Sequence, residues 1–377
     1  MTLEDRGRPP GTAAPGTAAP VATEPRNRPI ADPATSEANR AKLWILHGAA
    51  WLALMIYVWT AWVVSGDFVT NTRGRGQEPG WYVTLIRGWE VFALVVSLVI
   101  FWWFVIRPRI KTGRLTFDGL FFLGCATMCF QEPWINWTSV QFLYSTTSIN
   151  FGSWTSHIPG WSSPNSQLVP LSLWALSAYF WLVGIPGWAG SRFMGWLRGR
   201  NASISGLRLV VYAYLAFCVF DVLLESFITR TQLFNYGSTV PALTLWAGTD
   251  HQFPIYETIS WAGTYTVLAS LHFFRDDRGR SLPEQGLDRL RISSGKLRTF
   301  ARFLAIMGAC QAAILFTYNI PYAYWGMHAV MAKPFISQEW RTAGVCGPNT
   351  AYDCPAANVP LATIGSPTNR TAREAGR

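Results

Sequence analysis

The chain has 377 residues, of which half are hydrophobic and only 14% are charged, and its formal net charge is +10. Soluble domains carry roughly a quarter charged residues, so this composition excludes an ordinary soluble protein and predicts an all-α, polytopic membrane protein in a lipid bilayer. The net charge does not indicate a nucleic-acid partner, because most Lys and Arg residues lie in loops between apolar segments, where they report membrane topology.

Residues 1–40 are rich in Pro, Ala, Thr and Arg and show no hydrophobic periodicity, which predicts a disordered cytoplasmic tail rather than a signal peptide. Seven apolar runs of membrane-spanning length follow. They lie at 42–65, 83–106, 115–135, 168–190, 206–228, 254–274 and 300–321. Residues 41–330 are therefore predicted to form a seven-helix transmembrane domain, and residues 331–377 a C-terminal tail.

Basic residues are distributed unevenly among the loops. They are concentrated between the second and third runs, between the fourth and fifth, and between the sixth and seventh, and they are sparse in the alternate loops. By the positive-inside rule, this predicts a cytoplasmic N-terminus, an external C-terminus and a multi-pass location in the inner (plasma) membrane. Cys346 and Cys354 would then face an oxidising compartment, which favours a disulfide between them.

The second external loop is uncharged over an unusual length. No Asp, Glu, Lys or Arg occurs between Glu132 and Arg192, and residues 134–167 are rich in Trp, Ser, Thr, Asn, Gly and Pro. Such a loop either folds over the mouth of the bundle as a lid or lies among the lipid headgroups. The sequence leaves both alternatives open.

Five carboxylates lie where a charge is costly. Glu90, Glu132, Asp221, Glu225 and Glu257 fall inside or at the ends of apolar runs, toward the predicted external side. A charged side chain at the centre of a bilayer costs roughly 2.5–3.5 kcal/mol or more, so each is a functional-site hypothesis. Together the five acids predict one polar cavity inside an apolar bundle.

Asp221 and Glu225 are four residues apart, which places both on one helix face. Two carboxylates this close in a low dielectric do not both ionise easily, so one is expected to keep its proton and to be able to act as a general acid. The alternative is a structural pair that is hydrogen-bonded to neighbouring helices or that holds a cation.

The other three acids also allow two interpretations. Pro133 is expected to interrupt the helix at Glu132 and so to aim this carboxylate, which would otherwise be a solvated helix end. Glu257 lies in the first turn of the sixth predicted helix, where an acid also complements the helix dipole. Glu90 follows Arg87 by three residues, which favours a structural ion pair.

No metal and no organic cofactor are predicted. No Lys lies in the interior of an apolar run, which argues against a retinal Schiff base, and His47 and His272, the two His residues on predicted spans, are too few and too far apart for a di-iron cluster. The sequence also lacks a phosphate-binding Gly loop, a GxSxG motif and a zinc-binding spacing.

A set of polar, Pro and aromatic positions resembles a known family. The pattern comprises Gln131-Glu132-Pro133-Trp134-Ile135-Asn136-Trp137, Tyr144, Asn150-Phe151-Gly152-Ser153-Trp154, Ile158-Pro159-Gly160-Trp161, Pro164-Asn165, Asp221 with Glu225, and Pro254 with Tyr256-Glu257. Spread over residues 42–330, it resembles the AveC-type spirocyclase family of actinobacterial membrane proteins. That family often has Asp where this chain has Glu132, which keeps a carboxylate, and Tyr where it has Trp137, which removes a hydroxyl.

The resemblance implies an enzyme of secondary metabolism that cyclises a lipophilic polyketide dihydroxy-ketone to a spiroketal and dehydrates the product. The predicted catalytic residues are Glu132, Asp221, Glu225 and Glu257. The predicted substrate-binding residues are Gln131, Trp134, Asn136, Trp137, Trp154, Tyr256 and Asn319. In this interpretation an acid protonates the leaving hydroxyl, a carboxylate accepts the proton of the attacking hydroxyl, and aromatic rings stabilise the oxocarbenium ion.

Two other interpretations stay open. A membrane cyclase or isomerase of terpenoid type also uses intramembrane acids on a lipophilic substrate. A non-catalytic proton-coupled transporter or small-molecule receptor would use the same acids as a proton or cation relay. Conductance or pH-driven uptake in liposomes would indicate this last class.

Overall fold

The computed structural model describes residues 33–161, 163, 169–347 and 353–355. Helix α1 (Pro33–Val64) begins earlier than the sequence predicted, because residues 33–40 form its first turns instead of a disordered segment. This start is rich in strong helix formers, and Glu37 pairs with Arg289 at 2.8 Å, so the helix end is also held by a tertiary contact. Residues 1–32 of the predicted tail lie outside the described residues.

The other long helices follow in chain order, and several are continued by short turns of a different helix type. Three pairs of helices are joined by π-helical turns: α2 (Gly80–Phe101) and α3 (Arg107–Thr112) by Trp102–Ile106, α5 (Leu173–Ala178) and α6 (Gly184–Arg200) by Tyr179–Val183, and α9 (Gly295–Ile314) and α10 (Ile320–Gly326) by Leu315–Asn319. Helix α4 (Phe117–Thr127) is continued by the 3₁₀ segment Met128–Asn136. The remaining two are α7 (Gly206–Thr231) and α8 (Ile255–Phe273). Each of the seven predicted apolar runs therefore overlaps helical structure.

Four helices in the described part of the chain are long and apolar enough to cross a membrane. They are Ser36–Val64, Gly80–Thr112, Gly206–Thr231 and Gly295–Gly326. With the mostly helical fold, they support a helical membrane protein, whereas the seven-span topology and the orientation of the termini stay predictions. The other helices are more polar or more deeply packed; α8, for example, buries Thr258, Ser260 and Thr264.

Close helix packing depends on glycine between α1 and α9. A Cβ at Gly48 would lie 1.9 Å from the carbonyl oxygen of Leu304, and one at Gly308 would lie 2.9 Å from that of Trp44. Small residues let helix backbones approach in membranes, where dispersion contacts replace the hydrophobic effect as the main attraction. Elsewhere, α8 packs between α6 and α7, and α4 packs on α9.

Six two-residue strands join the loops at one end of the bundle, within the described residues. The antiparallel pairs are β1 (Phe142–Leu143) with β2 (Asn235–Tyr236), β3 (Ser238–Thr239) with β6 (Val330–Met331), and β4 (Thr244–Leu245) with β5 (Phe253–Pro254). They connect the uncharged loop, predicted either as a lid or as an interfacial segment, to the segments that follow α7 and α10. The described part of this loop packs on the bundle, where Tyr144 and Trp154 are buried.

Residues 331–347, predicted as part of a tail, belong to the folded end of the bundle. They include the short helices α11 (Lys333–Ile336) and α12 (Glu339–Thr342). The buried Trp340 ring lies 4.8 Å from the ring of Tyr82 in α2, centroid to centroid. The tail prediction missed this segment because it contains no apolar run of membrane-spanning length, although its two large aromatic residues, Phe335 and Trp340, are buried and anchor it.

A disulfide joins Cys346 and Cys354 near the end of the described chain. Residues 348–352, between the two cysteines, lie outside the described residues, as do residues 356–377 of the predicted tail. The bond agrees with an oxidising environment at this end, although the external location itself stays a prediction.

We expect Gly48→Ala to lower the thermal stability of the detergent-solubilised protein, because the added methyl group would meet the Leu304 carbonyl and force α1 away from α9. Overpacking of this kind costs about 1–3 kcal/mol. The apparent unfolding temperature, followed by tryptophan fluorescence, should fall by several degrees. Gly88→Ala in α2 is the matched control, because a Cβ there meets no atom within 4 Å. Equal stability of the two variants would contradict the close approach of the helices.

Candidate active site

Two carboxylates, those of Glu132 and Glu225, line one small cavity inside the bundle. The cavity has a volume of about 60 Å³, and the rest of its wall is aromatic or aliphatic. Its aromatic residues are Phe142, Tyr144, Trp174, Tyr179, Phe234, Trp261, Tyr265 and Tyr318. A mostly apolar wall with a few convergent polar groups is typical of a small-molecule site.

Glu132 is placed by a change of helix type. The α-helical part of α4 gives way to the 3₁₀ segment Met128–Asn136, which carries Glu132 and Pro133. The sequence predicted an interruption here, because proline lacks an N–H group and disfavours α-helix at the preceding residue. The buried carboxylate accepts hydrogen bonds from the hydroxyl of Tyr144, at 2.7 Å, and from that of Tyr179. The 3₁₀ segment, the uncharged loop and a π-helical turn therefore converge on one carboxylate.

Helix α7 presents Asp221 and Glu225 on one face, as their spacing predicted. Both side chains are buried, although Leu223 between them is exposed. Glu225 accepts a hydrogen bond from Tyr236 at 2.9 Å, and Asp221 accepts one from Thr258 at 2.9 Å. Glu225 belongs to the cavity wall, whereas Asp221 lies one helical turn away, outside the described wall.

Glu257 is fully buried in the first turn of α8. Its Oε1 accepts a hydrogen bond from the Tyr318 hydroxyl at 3.0 Å. Its Oε2 has no partner at hydrogen-bonding geometry among the described residues, although the hydroxyls of Tyr236 and Tyr322 lie close enough to interact with this carboxylate. Glu257 therefore has spare capacity to accept a hydrogen bond.

The four carboxylates form one electrostatic group. Glu225 interacts with Asp221, Glu257 and Glu132. None of the four forms an ion pair with a described Lys, Arg or His. Without a cation among them, four negative charges would repel one another, so the group is suited to holding and exchanging protons. Across the described residues, no cluster of three or more His, Cys, Asp and Glu could hold a metal ion.

Glu90, the fifth acid singled out in the sequence, is not part of this group. It pairs with Arg87 and accepts a hydrogen bond from the backbone N–H of Ile149 at 2.6 Å. Arg87 in turn donates to the backbone carbonyl of Thr147 at 2.8 Å. The geometry therefore supports a structural role, in which this pair ties α2 to the uncharged loop.

The predicted substrate-binding amides lie behind the cavity wall. Asn319 donates to Gln131 at 2.8 Å, and Gln131 donates to the side chain of Gln311 at 2.7 Å, so these three form a buried network. Asn136 exchanges two hydrogen bonds of 2.9 Å with the backbone of Phe142. In this structure Gln131, Asn136 and Asn319 hold wall elements in place, and a direct substrate contact stays a prediction.

The predicted substrate-binding aromatic residues also lie outside the described wall. They are Trp134, Trp137, Trp154 and Tyr256. Trp154 stacks on Phe130 with ring centroids 6.1 Å apart, and Trp134 lies 5.6 Å from Trp51 of α1. These two tryptophans help to pack α1 against the bundle, and their predicted contact with substrate is untested.

Much of the cavity wall could not be predicted from the sequence. Tyr179, Tyr236 and Tyr265 are buried around the carboxylates, and Trp261 lines the cavity beside them. In the sequence, each of these residues is recognisable only as an aromatic residue within or near an apolar run. Tyr and Trp are also enriched at membrane interfaces, so residue type alone could not assign them to an interior site.

A comparison with protein families gives one match. The family model described as Spirocyclase AveC-like matches residues 112–342, which is more than half of the chain. The matched region includes Glu132, Asp221, Glu225 and Glu257. No curated protein and no solved structure shows a significant match. The family match confirms the resemblance found in the sequence and supports a cyclase-type function.

We expect Gln131→Ala to lower the apparent unfolding temperature by several degrees. It would leave the Asn319 amide and the Gln311 carbonyl oxygen without their buried partner, and an unsatisfied buried polar group costs about 1–3 kcal/mol. Gln77→Ala, in an exposed loop, is the matched control. If both variants have the same apparent unfolding temperature as the wild type, the amide network does not stabilise the fold.

Proposed function

Because the chain belongs to the AveC-like spirocyclase family, we propose that it is a membrane-embedded cyclase that forms a spiroketal from a lipophilic, polyketide-like dihydroxy-ketone. The observation that best supports this proposal is the pair Glu132 and Glu225 on one cavity with a mostly aromatic wall, without an ion-pair partner among the described residues. An acid and a base on facing elements are what a dehydrative cyclisation requires. No cofactor is needed for this chemistry.

The proposed reaction has three steps. One substrate hydroxyl adds to the ketone and gives a hemiketal. A carboxylic acid then protonates the hemiketal hydroxyl, which departs as water and leaves an oxocarbenium ion. The second hydroxyl attacks that carbon, and a carboxylate takes its proton, so the spiroketal forms with the net loss of one water. Glu132 and Glu225 supply the acid and the base.

In this proposal Asp221 and Glu257 complete the catalytic set by acting through Glu225. Both interact electrostatically with Glu225 from outside the described cavity wall. A neighbouring carboxylate raises the cost of a negative charge on Glu225, and it can take up a proton that Glu225 releases. The two residues therefore set the protonation of the group while Glu132 and Glu225 meet the substrate.

The cavity wall suits a cationic intermediate. The rings of Trp174, Trp261 and Tyr265 border the same space as the two carboxylates, so ring faces and anions can both stabilise an oxocarbenium ion. An apolar wall also limits water, which favours ketal formation over hydrolysis. In this proposal these rings stabilise the cation, a role for which the sequence offered Trp134, Trp137 and Trp154 as candidates.

The cavity must enlarge to admit such a substrate. Its volume of about 60 Å³ is well below the roughly 300–1,000 Å³ of sites that hold drug-sized ligands. Phe142 and Tyr144 are the wall residues that come from the uncharged loop. We propose that this loop acts as a lid, and that these two side chains move when substrate enters.

We also propose the seven-span topology in the inner membrane, with the N-terminus cytoplasmic and the C-terminus external. The uneven distribution of basic residues among the loops supports it. The partners are then the lipid bilayer and a lipophilic small molecule. A substrate dissolved in the membrane would reach the carboxylates without crossing water.

A terpenoid-type cyclisation is the second candidate, because an aromatic wall also stabilises a carbocation. A proton-coupled transporter or receptor would use the same carboxylates without turnover. Lipid extracts from the host with and without the gene separate these candidates. If the protein is a spirocyclase, the host without the gene accumulates a species that is heavier than the product by one or two waters. Membranes that contain the wild-type protein convert this species.

We expect Glu132→Gln and Glu225→Gln each to reduce turnover by about 100-fold or more, because each removes a proton-transfer group from the cavity. The assay measures conversion of the accumulated species by membranes that contain each variant. Glu339→Gln, on the partly exposed helix α12, is the matched control and should keep full activity. Full activity of both cavity variants, with normal insertion and size-exclusion profiles, would contradict the assignment.

Asp221→Asn tests the supporting role. It should reduce turnover and also change its pH dependence, because it alters the charge next to Glu225. A purely structural residue would lower the amount of folded enzyme and leave the pH profile of the remainder unchanged. A wild-type rate with a wild-type pH profile would remove Asp221 from the catalytic group.

A further inference from the structure

A second pocket lies at the other end of α4 from Glu132. It has a volume of about 580 Å³ and is bordered by the ends of α3, α4, α6 and α8. The 14 residues from Asp118 to Glu132 correspond to roughly 20 Å of helix, so this pocket is separate from the carboxylate cavity. Its volume is in the range of small-molecule sites.

Four basic side chains border this pocket. Arg107 and Lys111 come from α3, Arg192 from α6 and Arg275 from the segment after α8. None of them forms a salt bridge with a described residue. Their positive charges are therefore available to an anion.

Aromatic rings hold the three guanidinium groups in position. Arg107 lies 4.2 Å from the ring centre of Trp103, and Arg192 lies 5.1 Å from that of Trp188. Arg275 lies 4.8 Å from the ring of Phe117. A guanidinium that stacks on a ring keeps its N–H groups free for hydrogen bonds at its edge, and this preorganisation favours the planar, two-point recognition of phosphate.

The acidic residue in the pocket wall, Asp118, interacts with Arg192 and Arg275 and offsets only part of the four positive charges. Asp118 contacts the ring of His272 at 3.0 Å, and the other ring nitrogen of His272 contacts Ser191 at 2.9 Å. His272 is buried, so this chain of contacts anchors Asp118 toward the protein interior. The pocket therefore keeps an excess of positive charge.

The pocket also lies at one end of a candidate membrane span. It is bordered by the end of the candidate span Gly80–Thr112, and Trp102, Trp103 and Ile110 beside it are exposed. Exposed Trp next to Arg is typical of the headgroup region. We propose that this pocket binds the phosphate of an anionic phospholipid headgroup. The proposal is independent of the chemistry in the carboxylate cavity.

Binding of short-chain lipids to the purified full-length protein tests this proposal. Dioctanoyl phosphatidylglycerol is titrated into the delipidated protein, with dioctanoyl phosphatidylcholine and inorganic phosphate as comparison ligands. The wild type should bind phosphatidylglycerol more tightly than either. The triple variant Arg107→Gln, Arg192→Gln, Arg275→Gln should lose about 100-fold in affinity, because each basic residue at an anionic surface adds roughly a factor of five.

Two further variants keep the test decisive. Arg208→Gln removes an exposed charge near the start of α7, outside this pocket, and should bind as the wild type does. Asp118→Asn removes the acidic group from the pocket wall and should strengthen binding. Thermal melts in phosphatidylcholine nanodiscs establish that each variant is folded.

Three results would overturn the proposal. Unchanged affinity in the triple variant excludes the pocket as the site. Equal losses in the triple variant and in Arg208→Gln show that general surface charge attracts the lipid. Inorganic phosphate that binds as tightly as phosphatidylglycerol, with the same loss in the triple variant, identifies a free phosphate site and excludes the lipid.

Discussion

The interior of this protein is organised by the need to satisfy buried carboxylates without cations. Glu132, Glu225 and Glu257 accept hydrogen bonds from tyrosine hydroxyls, and Asp221 accepts one from a threonine. The tyrosines are Tyr144, Tyr179, Tyr236 and Tyr318, from a loop, a π-helical turn, a strand and a second π-helical turn. A buried polar group without a partner is costly, so the carboxylates fix where these four separate elements lie. The π-helical turns fit this role, because an inserted residue re-aims side chains and such turns are frequent at functional sites.

Not every oxygen of the four carboxylates has a hydrogen-bond partner among the described residues. Oδ1 of Asp221 and Oε2 of Glu257 have no hydrogen-bond partner among the described residues. Both atoms lie outside the described cavity wall. In the proposed mechanism, an acceptor without a partner can take up a proton that Glu225 releases, without the loss of an existing hydrogen bond.

The sequence predicted the parts of this site that follow from spacing, but it could not identify the wall residues that only tertiary packing brings together. The four-residue separation of Asp221 and Glu225, and Pro133 after Glu132, were enough to predict a shared helix face and a helix interruption. The tryptophans near Glu132 in sequence were predicted as its cavity wall. In a 3₁₀ segment residues three apart share a face, and Trp134 and Trp137 both contact Trp161 instead. The wall includes residues from distant segments, such as Phe234 and Trp261, and no local pattern pairs these with Glu132.

The distribution of basic residues matters for the carboxylates as much as for topology. An Arg or Lys beside Glu132 or Glu225 would hold it as a charged ion pair and remove it from proton transfer. Arg87 and Arg341 lie toward the same end of the bundle, but each has another acid: Arg87 pairs with Glu90, and Arg341 lies 3.6 Å from Asp250. At the far end of α4, the cations of the second pocket are about 20 Å away along the helix. Both arginines at this end of the bundle are thus paired with acids outside the carboxylate group, and neither forms an ion pair with Glu132 or Glu225.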